Sequence, residues 1–168
     1  MISNVIRYAK NTAIILAGTL ITSNCSENQT DQDTSKKFIT SDSRPSEKEE
    51  LGQYIFKLMD IVESPLSESM KIVVSRAIVD VSFDIFSNQQ DRKQFAVLIS
   101  IESKFNNKVR SSASAVGITQ VIPKYAKFFG EKCGFKNVTN DDIEDMNINL
   151  ILGACHFRSL LDALKQQL

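Results

Sequence analysis

The sequence predicts a mainly α fold in a single domain. Apolar residues recur at steps of three and four over three long stretches, the signature of helices with one buried face. Capping residues stand at the starts of those stretches. Only one short run, Gln120–Ile122, reads as strand, and 168 residues is the length of one domain.

The N-terminal 25 residues differ from the rest. Arg7 and Lys10 precede the apolar run Ala13–Ile21, AIILAGTLI. The uncharged stretch Asn11–Cys25 falls short of the roughly 20 apolar residues that span a bilayer. Residues 1–25 therefore read as a cleaved export signal, which sends the protein to the periplasm or cell envelope. The alternative is an N-terminal helix buried in the fold. Cys25 closes the sequence LITSNCS, which resembles the end of a bacterial lipoprotein signal with Asn24 in place of the usual Gly or Ala. A lipid anchor on Cys25 is the one membrane contact this implies. Residues 26–50 are polar and charged and read as a flexible tether. Residues 51–168 form the compact unit.

Within that unit, Ser46 and Glu49 make a capping-box pattern ahead of Leu51, Ile55, Leu58, Met59 and Val62. Ser64-Pro65 ends this helix and can start the next. The second run carries Met70, Val74, Ala77, Val81 and Ile85. Its Val and Ile content keeps a strand open, while its length favours helix. Asn88 caps a third helix with Asp91 in its first turn. Phe95, Leu98, Ile99, Glu102 and Phe105 fall on one side of it. A short strand at Gln120–Ile122 leads into a helix over Pro123–Phe129, stopped by Gly130. Thr139 caps a turn containing Asp142. The last helix runs from Met146 to the end along Leu150, Ala154, Phe157, Leu161, Leu164 and Leu168. Gly153, on a neighbouring face, admits the close approach of another element.

The 20 basic and 20 acidic residues balance, so nothing argues for nucleic acid, which wants a basic surface. No Cys or His spacing resembles a zinc site, and no metal or cofactor is expected. Cys133 and Cys155 either pair in an oxidising compartment or act as two small buried hydrophobes, the second slightly preferred.

Glu102 is the residue that asks for an explanation. An ordinary Glu near a helix end, with Lys104 and Lys108 close by, is a solvated or ion-paired group. Two features count against that. Glu102 shares a face with Leu98 and Phe105, where burial is expected, and a helix C-terminus disfavours negative charge. Both would raise the affinity of the carboxyl for its proton, as a general acid requires. A carboxylic acid at the edge of an apolar pocket is the pattern of a glycosidase acid.

The stretch Glu102-Ser103-Lys104-Phe105-Asn106 resembles the Glu-Ser-x-aromatic-Asn signature of the soluble lytic transglycosylase family. Ser111 follows in a small-residue loop, and Ala115-Val116-Gly117-Ile118-Thr119-Gln120 is similar to the family's Ala-x-Gly-Leu-Met-Gln, with Pro123 three residues on. Asp145 and Asn149-Leu150-Ile151-Leu152-Gly153 resemble its Asp-Pro-x-x-Asn-Ile-x-x-Gly segment. The resemblance covers about Phe95 to Leu161. Thr119, Asn107 and Met146 stand where the family has Met, Pro and Pro, and His156 where it usually has Tyr.

This resemblance implies a lysozyme-like fold, α+β with minimal β. It implies cleavage of the MurNAc–GlcNAc bond of peptidoglycan with a 1,6-anhydro product. Glu102 would be the acid and then the base. Ser103 would help position it or the substrate, Gly117 would allow close approach of a sugar, and Gln120 would line the groove. Asn149 would brace the fold or the site, and His156 would pack rather than catalyse. No Asp or Glu lies between Glu102 and Glu131, in keeping with a one-carboxylate scheme. The sequence ends at Leu168, ahead of the family's Ala-x-x-Tyr-Asn-x-Gly segment, which implies a groove short of one wall. A glycan-binding or partner-dependent member without turnover, and a hydrolytic goose-type muramidase, stay open beside the transglycosylase. The partners implied are glycan strands, together with an envelope-spanning secretion or conjugation apparatus.

Overall fold

A computed structural model describes residues 45–167. The export signal, Cys25 and most of the tether lie outside the described residues. Among those described there are five α-helices and no strand. The fold is mainly α, as the periodicity predicts.

Helix α1 spans Glu47–Ile61. The Ser46 hydroxyl accepts from the Glu49 amide and the Glu49 carboxylate accepts from the Ser46 amide, at 3.3 and 2.7 Å. This capping box starts the helix inside the polar stretch assigned to the tether, because two satisfied end amides matter more there than local polarity. Helix α2, Glu68–Ile85, starts at Ser67 and not at Ser64-Pro65. Its Val-rich sequence is helical throughout, which closes the strand alternative. Val74, Ile78 and Val81 are buried, while Met70, in the first turn, is 44% exposed. Helix α3, Gln89–Ser103, is capped by Asn88, whose side-chain oxygen accepts from the Asp91 amide at 2.8 Å.

Helix α4 spans Pro123–Lys132 and runs straight through Gly130, which was expected to stop it. The glycine serves packing instead. A Cβ there would stand 2.3 Å from Val138 Cγ2, so its absence lets the following loop seat on the helix. The helix ends at Cys133, ahead of Gly134 in the left-handed region at φ 81°. The expected strand at Gln120–Ile122 does not form. Gln120 is itself left-handed, at φ 53°, and only an isolated bridge between Val116 and Val121 remains. Thr139 and Asp142 cap one another around a 3₁₀ turn, Asp142–Glu144. Helix α5, Met146–Lys165, starts at Asp145, whose carboxylate accepts from the amides of Asn147 and Ile148.

Helices α1, α2, α3 and α5 enclose one core, built on Leu51, Ile55, Met59, Ile78, Phe95, Ile99 and Leu150. Phe105 and Ile118, from the segment after α3, enter the same core. A smaller cluster of Val116, Val121, Ala126, Ile143 and Leu152 joins α4 and the intervening loop to α5.

Cys133 and Cys155 form a disulfide with their Cα atoms 6.0 Å apart. The preference for two separate buried thiols is thereby corrected. The bond fastens the end of α4 to the middle of α5. A bridge spanning 22 residues of sequence restricts the unfolded chain by about 3 kcal/mol. Reduction is expected to lower the melting temperature by about 10 °C or more. Thermal unfolding with and without reductant reads this directly, and coincident transitions would contradict it.

Candidate active site

Glu102 lies in the last turn of α3, half-buried, and not on the exposed side of the helix. The helix stops immediately after it. Lys104 and Phe105 take successive left-handed conformations, at φ 51° and 67°, which reverses the chain and drives the Phe105 ring into the core at 0% exposure. Phe105 thus shares the apolar setting of Glu102 from beyond the helix end, not from the helix face. Two bonds hold this end in place. The Ser64 hydroxyl donates to the Lys104 carbonyl at 2.9 Å, across 40 residues of sequence. The Ser103 hydroxyl donates to the Ile118 carbonyl at 2.7 Å. Ser103 is buried, so the residue beside the acid is a strut between α3 and the loop.

The loop from Asn106 to Ile122 is folded by its own polar groups. The Asn106 side chain accepts from the Lys108 amide, and Asn107 accepts from the Ile118 amide at 3.2 Å while donating to the Glu144 carbonyl at 3.0 Å. Ser111 bonds Ala115 twice, through backbone and hydroxyl, and closes the small-residue tip. The paired backbones of Val116 and Val121 then frame a tight turn, Gly117–Gln120. Gly117 sits at φ 80°, where glycine alone is unstrained. The Gln120 amide donates to the Gly117 and Val109 carbonyls at 2.8 and 3.1 Å, so this side chain stiffens the turn it belongs to.

Below the turn stands Asn149, at 0% exposure. Its Oδ1 accepts from the Thr119 amide at 2.9 Å and lies 2.7 Å from the Thr119 hydroxyl. Its Nδ2 donates to the Val116 and Ile143 carbonyls at 2.9 and 2.8 Å. All four hydrogen-bonding positions of the amide are filled. Asn149 therefore ties α5, the 3₁₀ turn and the loop into one body. Two glycines make room for it. A Cβ on Gly117 would stand 2.3 Å from Asn149 Nδ2, and one on Gly153 would stand 2.3 Å from Thr119 Oγ1.

Of the residues singled out, Glu102 and Ser103 end α3, and Gly117 and Gln120 make the turn joined to it through Ile118. Asn149 sits beneath that turn. Sequence reasoning missed Thr119, the hub of the buried network, and Asn107 and Ser64, which join distant segments. A hydroxyl-bearing β-branched residue in an otherwise apolar run was the only available signal for Thr119. The fold also brings Glu144 to the loop, where it forms an ion pair with Arg110.

His156 stacks on Phe129 with ring centroids 4.0 Å apart. Burial, reinforced by the Lys132 ammonium, pushes its pKa down from the usual 6.5 to about 4. The folded protein thus holds a neutral imidazole at pH values where the unfolded chain binds a proton. Its contribution to stability is complete above pH 6.5 and is lost as pH falls toward 4, by up to about 3 kcal/mol. Urea unfolding at pH 7.5 and 4.5 is expected to show this loss, and His156→Phe to diminish it. Equal pH dependence in the two proteins would rule it out.

Residues 86–168 match the family model of the Transglycosylase SLT domain. No curated protein and no solved structure matches the chain.

Proposed function

The chain belongs, through residues 86–168, to the transglycosylase SLT family, and from that premise we propose that it cleaves the MurNAc–GlcNAc β-1,4 bond of peptidoglycan, with Glu102 as its acid and base. The coarser statement, a lytic-transglycosylase-type domain for peptidoglycan, comes with the family. The observation that carries the finer one is the position of Glu102. It stands half-buried at an abrupt helix end, next to a buried Ser103 that is bonded to the rigid turn Gly117–Gln120.

In this reading Glu102 starts protonated and delivers its proton to the glycosidic oxygen as the bond to C1 breaks. The N-acetyl group of the sugar supports the positive charge at C1. The carboxylate left behind then takes the proton of the C6 hydroxyl, whose oxygen bonds to C1. The products are a free 4-hydroxyl and a 1,6-anhydro ring, and no water is consumed. The role of the surrounding polar groups is positional. Ser103, Gln120 and Asn149 hold backbone, and the backbone fixes the acid against the turn. The protein acts outside the cytoplasm, where its polymer lies, with the Cys25 anchor and an envelope-spanning apparatus as partners to be tested.

Digestion of purified peptidoglycan, followed by mass spectrometry of the released fragments, tests this. Anhydro-muramyl ends are expected. Reducing ends would assign a water-using muramidase instead, and no release would leave a glycan-binding protein.

A further inference from the structure

A second feature lies along the chain from the Glu102 setting, and it rests on the reading just given. Ser114 and Ala113, at the tip of the small-residue loop, face Ile122, Pro123, Lys124 and Tyr125 at the start of α4 across a cleft of about 440 Å³. Its composition is mixed in a particular way. Ile122 and Pro123 supply an apolar floor. Tyr125 is half-buried and braced by Phe129, with ring centroids 6.3 Å apart. The Lys124 ammonium stands 4.8 Å from the Tyr125 ring centroid, so one cation and one aromatic ring act at the same place. The opposite wall is Ser114, held in the left-handed region at φ 62°, with its amide donating to the Ser111 carbonyl at 3.0 Å. A serine kept in that conformation marks a loop whose shape is specified. Four residues further on, Ile118 accepts the Ser103 hydroxyl, so the cleft and the helix end that carries Glu102 belong to one connected loop.

An apolar floor, a ring face and a single exposed ammonium suit a ligand with a carboxylate on a largely uncharged body. The sugar backbone of a glycan strand is neutral, and its anionic groups sit on the peptide stems. We propose that this cleft is a subsite for the peptide stem, with Lys124 taking a stem carboxylate and Tyr125 supporting the adjoining apolar surface. The wall-cleaving site would then prefer strands that still carry their peptides.

The test is a binding titration of the full chain with two probes, a muramyl tetrapeptide and the same compound with its carboxylates amidated. The unmodified protein is expected to bind the acid form roughly tenfold more tightly, the scale of one charge-assisted hydrogen bond. Lys124→Ala should remove the difference. Lys124 is exposed, so the variant should fold, and its circular dichroism checks this. Equal binding of both probes by the unmodified protein would overturn the proposal, as would a difference retained by Lys124→Ala. Because binding is read without turnover, a failed Glu102 assignment leaves the result interpretable, and a failed subsite leaves Glu102 untouched.

Discussion

Glu102→Gln is expected to cut the release of soluble fragments from purified peptidoglycan by roughly 10²–10⁴-fold, the usual share of a general acid or base. The amide keeps the shape of the side chain and can neither give nor take the proton in question. One substitution therefore removes both halves of the proposed cycle, so the loss should fall in kcat and leave KM nearly unchanged. The melting temperature should stay close to that of the unmodified protein, since the end of α3 is held by Ser64, Ser103 and the buried Phe105, none of which is altered. A merely structural Glu102 would show the reverse, with a shifted melting temperature and activity in proportion to folded protein. Full activity in the variant would dismiss Glu102 as the acid.

Interactions between near neighbours in sequence were legible without the structure. The capping box of Ser46 and Glu49, the Asn88 cap and the Thr139–Asp142 turn each join residues three apart, so the chain itself writes both partners side by side. The expectations that failed depended on partners far away. Gly130 looks like a stop signal until Val138 packs on it. Ser64 looks like a cap but bonds Lys104. Cys133 and Cys155 look like independent small hydrophobes until the turn between α4 and α5 brings them within reach. Gln120 fits a strand by composition, and only the closure of Val116 on Val121 forces it into a left-handed turn.

The site follows the same division. Helical period placed Glu102 on a part-buried side of α3, and its neighbour Ser103 came with it. Gly153 announces a close approach in sequence, but that the approaching group is Thr119, 34 positions earlier, is a fact of tertiary packing. Motif resemblance singled out Asn149 without saying which groups it binds. Its partners Thr119, Val116 and Ile143 come from two segments on different sides of α4.

That buried amide makes the sharpest structural prediction. Asn149→Ala strips partners from the Thr119 amide and from the Val116 and Ile143 carbonyls, all in the interior. At roughly 1–3 kcal/mol for each buried group left unpaired, and allowing for incomplete additivity, the loss should be about 3–5 kcal/mol. That is a large share of the 5–15 kcal/mol that keeps a typical domain folded. Gly117→Ala should be comparably damaging for a different reason. The new methyl must occupy space 2.3 Å from Asn149 Nδ2, on a backbone at φ 80°. The steric part of that cost requires the Asn149 side chain, while the backbone part, about 1–2 kcal/mol, does not. The double variant should therefore be more stable than the sum of the two losses predicts, by about 2 kcal/mol or more. Denaturant unfolding of the two single variants and the double variant measures the coupling. Simple additivity would mean that the turn yields to the methyl group without meeting Asn149, and that this amide does not set the shape of the Gly117–Gln120 turn.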